Sequence, residues 1–140
     1  MPIKAGSTIL MPSGTAMNPK AKHLFIVCTD PNDDDDVVLV SIASWRNDLC
    51  DGTCVLENGC HSFVRHKSYV FFRQARIEKS ATLQRGLDQR VLFPDDDVSE
   101  EVLKAAAEGL LKSKQTPWQV VRFLKRAAKG PLIEGTKSVI

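Results

Sequence analysis

Two uninterrupted apolar runs lie close together in the first third of the chain: residues 23–29 (HLFIVCT) and 37–44 (VVLVSIAS). Runs of this length without polar alternation suit strands buried on both faces. The DPNDDDD segment between them has the composition of a turn, so residues 23–44 are expected to form a hairpin through the centre of the core. Residues 4–11 (KAGSTILM) give a short first strand that stops at Pro12, followed by a loop containing Gly, Asn and two Pro. GTCVLE and CHSFV flank Asn58-Gly59 and read as a second hairpin. Residues 68–77 (SYVFFRQARI) are rich in aromatic and β-branched residues and give a further strand.

The second half changes to a helical period. Residues 80–92 (SATLQRGLDQRVL) give a helical turn or a short helix broken near Gly86. Asp97, with Glu100 in capping-box spacing, is expected to open a helix whose stripe is Val98, Val102, Ala106 and Leu110. Thr116 as N-cap, Pro117 at the first helical position and Gln119 predict a last helix, stopped at Gly130-Pro131. On a wheel of about 100° per residue, Val120, Val121, Phe123, Leu124, Ala127 and Ala128 cover one side of it. Arg122, Lys125, Arg126 and Lys129 fall on the other side. That basic stripe is either a solvated face or a surface that meets RNA phosphates. The tail from Leu132 reads as mobile.

Bulk properties narrow the classes. A chain of 140 residues, 43% hydrophobic and 26% charged, has the composition of one globular domain with enough core to fold unaided. No apolar run approaches the roughly 20 residues of a membrane span, and the N-terminus lacks the apolar core of a secretion signal. A cytoplasmic protein with no membrane partner is expected. A net charge of +2 does not by itself argue for nucleic acid.

The densest chemistry lies in residues 49–66, LCDGTCVLENGCHSFVRH, with three of the four cysteines and two of the three histidines. Cys50, Cys54, Cys60 and His61 supply donors suited to tetrahedral zinc, but the spacing is poor. Only one pair fits a C-x2-4-C knuckle, and Cys60 and His61 are neighbours that a strand would point apart. No cofactor is therefore expected, with zinc as the alternative. Cys28 and Cys54 read as core thiols. A cysteine nucleophile would need a base and a lowered pKa, and nothing local resembles a known signature. The acidic run of residues 33–36 lacks the alternating ligands and glycine of a calcium loop and reads as a solvated turn. His23, His61 and His66 stand at predicted strand ends, where imidazoles can run acid–base chemistry near neutral pH. Arg65, His66 and Lys67 make a basic edge suited to RNA.

Three segments, KHLFIVCTD, VVLVSIASW and HKSYVFFRQARIEKSATL, follow one another in a pattern that resembles the MazF/PemK toxins. The resemblance runs from about Ile3 to Leu111. It implies a mainly β fold with C-terminal helices: a small SH3-like, CcdB/MazF-like β-barrel followed by two helices. Residues 1–113 would be the barrel with the first helix, 114–130 the amphipathic basic helix and 131–140 the tail. It further implies a homodimer, an antitoxin partner and metal-independent endoribonuclease activity on single-stranded RNA. Lys22-His23 stands where the family has Arg-Pro, and Ala43-Ser44 where it has Thr-Ser. Lys keeps the positive charge without the bidentate fork. The residues assigned to cleavage are Lys22 and Arg46 for charge, His23 and His61 for proton transfer, and Ser44 for orienting the phosphate. A non-catalytic barrel that binds nucleic acid or a protein partner, and a zinc-stabilised regulatory domain, are the alternatives.

Overall fold

In the computed structural model, residues 2–12 and 22–129 are described; the expected first loop and the tail lie outside them. Six strands and three helices follow in the order β1 (Thr8–Pro12), β2 (Lys22–Val27), β3 (Asp36–Ser44), β4 (Val55–Leu56), β5 (Ser68–Lys79), α1 (Ser80–Asp88), β6 (Phe93–Asp95), α2 (Glu100–Lys112) and α3 (Trp118–Lys129). The strands form one curled antiparallel sheet in the order β4-β5-β3-β2-β1-β6. The mainly β fold with helices at its C-terminal end is thus as expected, and α1 lies where a helical turn or short helix was expected. Among the described residues no helix is long and apolar enough to cross a membrane.

The two apolar runs pair as a hairpin at the centre of the sheet, in register Phe25↔Ser41 and Val27↔Leu39. Both of their faces are buried, for different reasons. Leu24, Ile26, Val38, Val40, Ile42, Val70 and Phe72 share a core with Val102, Ala106 and Leu110 of α2 and Val120 of α3. Ile9, Met11, Phe25, Val27, Val37 and Leu39 face the other way and are covered by Leu83 and Leu87 of α1. Alternation along the strands continues this second face into His23, Ser41, Ala43, Tyr69 and Phe71. There the cover of α1 ends, and the sheet is left open as a cleft.

β5 does not run straight through this arrangement. Phe71 pairs with Ser41 and Arg76 with Leu39, so residues 72–75 stand opposite Val40 alone. A bulge of this size bends the strand and re-aims its side chains. Phe72 and Ala75 turn into the helix-side core, and Arg73 and Gln74 come to the surface. α2 fits closely over the bulge: a Cβ on Gly109 would lie 2.4 Å from Phe72 Cζ.

Several local expectations are corrected. Asn58-Gly59 does not join two strands. Residues 60–64 form a loop closed by Gly59 N–H to Val64 O at 2.9 Å, and β4 pairs with β5 instead. α2 is capped by Ser99, whose hydroxyl accepts from Val102 N–H at 3.2 Å, two residues after Asp97; Asp97 lies 3.6 Å from Lys4 Nζ. Thr116 does not cap α3: its buried hydroxyl has no hydrogen-bond partner. α1 continues through Gly86, where a Cβ would lie 2.6 Å from Leu92 Cδ1. β6 was not foreseen. It contains Pro94 and forms by pairing with β1.

The acidic turn is built rather than merely solvated. Asn32 Oδ1 accepts from Asp34 and Asp36 N–H at 3.0 and 2.9 Å. Asp35 adopts a left-handed φ of 66° and caps α1 from outside that helix: Ser80 Oγ donates to its carboxylate at 2.5 Å and Ala81 N–H at 2.9 Å. Asp36 pairs with Lys79 Nζ at 2.9 Å.

Candidate functional site

The start of β2, the end of β3 and the start of β5 meet at one end of the sheet. Ser44 pairs with Ser68 and Ala43 with Tyr69, and the β2–β3 register sets Lys22 and His23 beside them. The cleft at this end has a volume of about 570 Å³. It is lined by the polar and charged Lys22, His23, Ser44, Arg46, Arg65, His66 and Ser68, together with Ser41, Ile42, Ala43, Phe63, Tyr69, Phe71 and Gln74. Three permanent cations and two imidazoles line it, and no carboxylate does among the described residues. Such a cleft concentrates anions.

Ser44 Oγ lies 2.7 Å from His66 Nε2, so the hydroxyl and the ring share one hydrogen bond. Ser68 Oγ donates to the His66 carbonyl at 3.0 Å and fixes the backbone that carries the ring. Ser41 Oγ donates to Gln74 Oε1 at 3.1 Å. Lys22 Nζ sits 4.3 Å from the centroid of the Phe93 ring while lining the cleft.

Sequence reasoning therefore placed four cleavage candidates together: Lys22, His23, Ser44 and Arg46. His61 is not with them. Its Nδ1 accepts from Phe63 N–H at 2.9 Å within the loop and its Nε2 meets Asp96 O at 2.5 Å, so both nitrogens are occupied and the second holds the loop to the segment after β6. His66, read from sequence as an RNA contact beside Arg65, lines the cleft instead. Ser68, Tyr69, Phe71 and Gln74 were not singled out. Only the pairing of β5 with β3 reveals them, because nothing local distinguishes them from ordinary strand residues.

The remaining basic residues lie elsewhere. Lys67 Nζ stacks 4.5 Å from the Trp45 ring centroid. Arg122, Lys125 and Arg126 are exposed on α3, which packs on the opposite face of the sheet from the cleft. Arg126 lines a groove with Asp33, Asp34 and Asp36. The side chain of Lys129 lies outside the described residues.

The four thiols are free. Among the described residues no group of three or more His, Cys, Asp or Glu side chains is arranged to hold a metal ion. Cys50, Cys54, Cys60 and His61 do not form the set that zinc would take. Cys54 and Cys60 pack in the helix-side core, where burial raises their thiol pKa values. Cys50 differs. Backbone N–H groups of Arg46 and then Asn47 point at its sulfur, with help from the Tyr69 hydroxyl, and together they hold its pKa below the usual thiol value. Tyr69 is shifted up, by burial first and then by this contact with Cys50.

No model of a known protein family matches the chain, and neither does any curated protein.

Proposed function

We propose that the chain is a metal-independent endoribonuclease, and that it acts as the toxin of a toxin–antitoxin pair on an SH3-like, MazF/PemK-type scaffold. One observation carries the reading: Lys22, His23, Ser44, Arg46, Arg65 and His66 converge on a single cleft lined by no carboxylate among the described residues. The antitoxin and homodimer parts rest on the sequence resemblance alone.

The chemistry follows from the residues. The RNA 2′-oxygen attacks the adjacent phosphorus and gives up its proton to one imidazole. The bond to the 5′-oxygen breaks as the other imidazole supplies that oxygen with a proton. The products are a 2′,3′-cyclic phosphate and a 5′-hydroxyl end. His66 and His23 are the acid–base pair, since both line the cleft. Lys22, Arg46 and Arg65 stabilise the charge that develops on the phosphorane. Ser44, bonded to His66, orients the ring and the phosphate oxygen.

The test is incubation with a long mixed-sequence RNA, with and without EDTA, read on a denaturing gel with end analysis. Cuts that survive EDTA and leave 5′-hydroxyl ends are expected, with loss in His66→Ala. Intact RNA in every lane overturns the reading. It would favour a second one, a non-catalytic nucleic-acid-binding module. The exposed Arg122, Lys125 and Arg126 on the far side of the sheet support that alternative.

A further inference from the structure

The cleft is larger than a phosphodiester requires. About 570 Å³ lies within the range that holds a nucleoside-sized ligand. Beside the charged groups the lining also holds Ser41, Phe71, Gln74 and the ring of Phe63. Phe63 is a large apolar side chain left 39% exposed, and Phe71 is half-buried. Open aromatic rings beside cationic groups are how proteins hold unpaired bases: the ring stacks on the base while cations meet the backbone.

Gln74 reaches this site only because of the bulge. Regular alternation from Tyr69 and Phe71 would put residues 73 and 75 on the cleft side and 74 on the helix side. The bulge reverses that: Ala75 is buried in the helix-side core and Gln74 lines the cleft. Ser41, 1% exposed, donates through its Oγ to Gln74 Oε1. That bond takes up one lone pair of the amide carbonyl and leaves the amide NH₂, a pure donor, without a partner among the described residues.

We propose that Phe63, Phe71 and Gln74 form a nucleobase subsite, selective for bases that present a carbonyl oxygen (guanine O6, uracil O4) over those that present an amino group there (adenine, cytosine). The aromatic rings supply affinity for any base. The amide supplies the choice. A glutamine reads adenine by offering carbonyl and amide together, and here the Ser41 hydroxyl competes for the carbonyl. The inference rests on the nucleolytic reading of the same cleft, because that reading explains why a base would lie beside the cations.

The test is calorimetric titration of the intact protein with the four nucleoside 5′-monophosphates and with ribose 5-phosphate as the base-free probe. GMP and UMP should bind about tenfold or more tighter than ribose 5-phosphate, and several-fold tighter than AMP and CMP. Phe63→Ala should bring all four nucleotides towards ribose 5-phosphate. Gln74→Leu should abolish the GMP and UMP preference and leave ribose 5-phosphate unchanged. Both side chains are at the surface, so neither variant opens the core. Equal binding of nucleotides and ribose 5-phosphate, a preference for AMP or CMP, or a preference that survives Gln74→Leu overturns the subsite. The RNA gel separates the two readings. Base-selective binding without cutting removes the nuclease and keeps the subsite, and cutting without base-selective binding does the reverse.

Discussion

Ser44 Oγ and His66 Nε2 stand 2.7 Å apart although 22 positions separate them in the chain. The contact exists because Ser44 ends β3 directly opposite Ser68, and His66 lies two residues before Ser68. A hydroxyl that holds an imidazole in one orientation acts through that imidazole. His66→Ala is therefore expected to lower single-turnover RNA cleavage by about 100-fold or more, the usual scale for a lost acid–base group. Ser44→Ala should cost less. In the His66→Ala background it should cost less than in the wild type, because the ring it orients is gone and only its contact with the phosphate remains to be lost. Strictly additive losses in the double variant would show that Ser44 does not work through His66.

What was readable in the sequence depended on how local each feature is. The central hairpin was legible because burial on both faces leaves a continuous apolar run, and β5 because it is rich in aromatic and β-branched residues. α3 was legible because one stripe meets the core and the other meets water. The cluster of Lys22, His23 and Ser44 followed from pairing two recognisable strands. The bulge at residues 72–75 was not legible, since it depends on α2 approaching through Gly109, nor was β6, which exists only through its partner β1. His61 and His66 look equivalent in the chain. Only the backbone groups around His61 reveal that its nitrogens are occupied.

Gly109 is expected to resist substitution. A methyl group there would stand 2.4 Å from Phe72 Cζ and 3.0 Å from Phe72 Cε2. Phe72 is fully buried. Overpacking of this kind costs about 1–3 kcal/mol, and the helix-propensity gain of about 1 kcal/mol from Gly to Ala offsets part of it. Gly109→Ala should lower the melting temperature by several degrees. Phe72→Leu should also be destabilising, but Gly109→Ala should cost less in that background, because the clashing ring atoms are absent. Equal costs in both backgrounds would place the strain elsewhere.

The cap that Asp35 gives α1 should appear in the pH dependence of stability. Its carboxyl pKa is lowered, first by the hydrogen bond from Ser80 and then by Ala81 N–H. A carboxyl with a folded pKa below its ordinary 3.8 contributes stability that is complete above that value and disappears as pH falls through the folded pKa. Thermal melts should show Asp35→Asn less stable than wild type at neutral pH, with the gap closing in acid below about pH 4. Lys79 works in the opposite direction. Its pKa is raised above 10.5, chiefly by its bond to Asp36, so its contribution should fade only in strong alkali. A gap between Asp35→Asn and wild type that stays constant into acid would remove the charge from the explanation and leave only shape.

The four thiols should react in an order set by their surroundings. Burial, aided by the nearby Cys54, pushes the Cys28 pKa up to about 12, so almost no thiolate forms there near neutral pH. Cys50 receives the N–H groups of Arg46 and Asn47 and the Tyr69 hydroxyl, which stabilise its anion and hold its pKa below 9.0. Iodoacetamide at neutral pH, read by peptide mass mapping, should therefore label Cys50 first, with Cys28 modified only after denaturant is added. The rate at Cys50 should rise with pH towards a plateau, with its midpoint at a pH below 9.0. Tyr69→Phe removes the one side-chain donor and should slow the reaction at neutral pH while leaving the alkaline plateau nearly unchanged. Labelling of Cys54 or Cys60 ahead of Cys50 would mean that exposure, rather than thiolate stabilisation by the Arg46 and Asn47 backbone, governs the order.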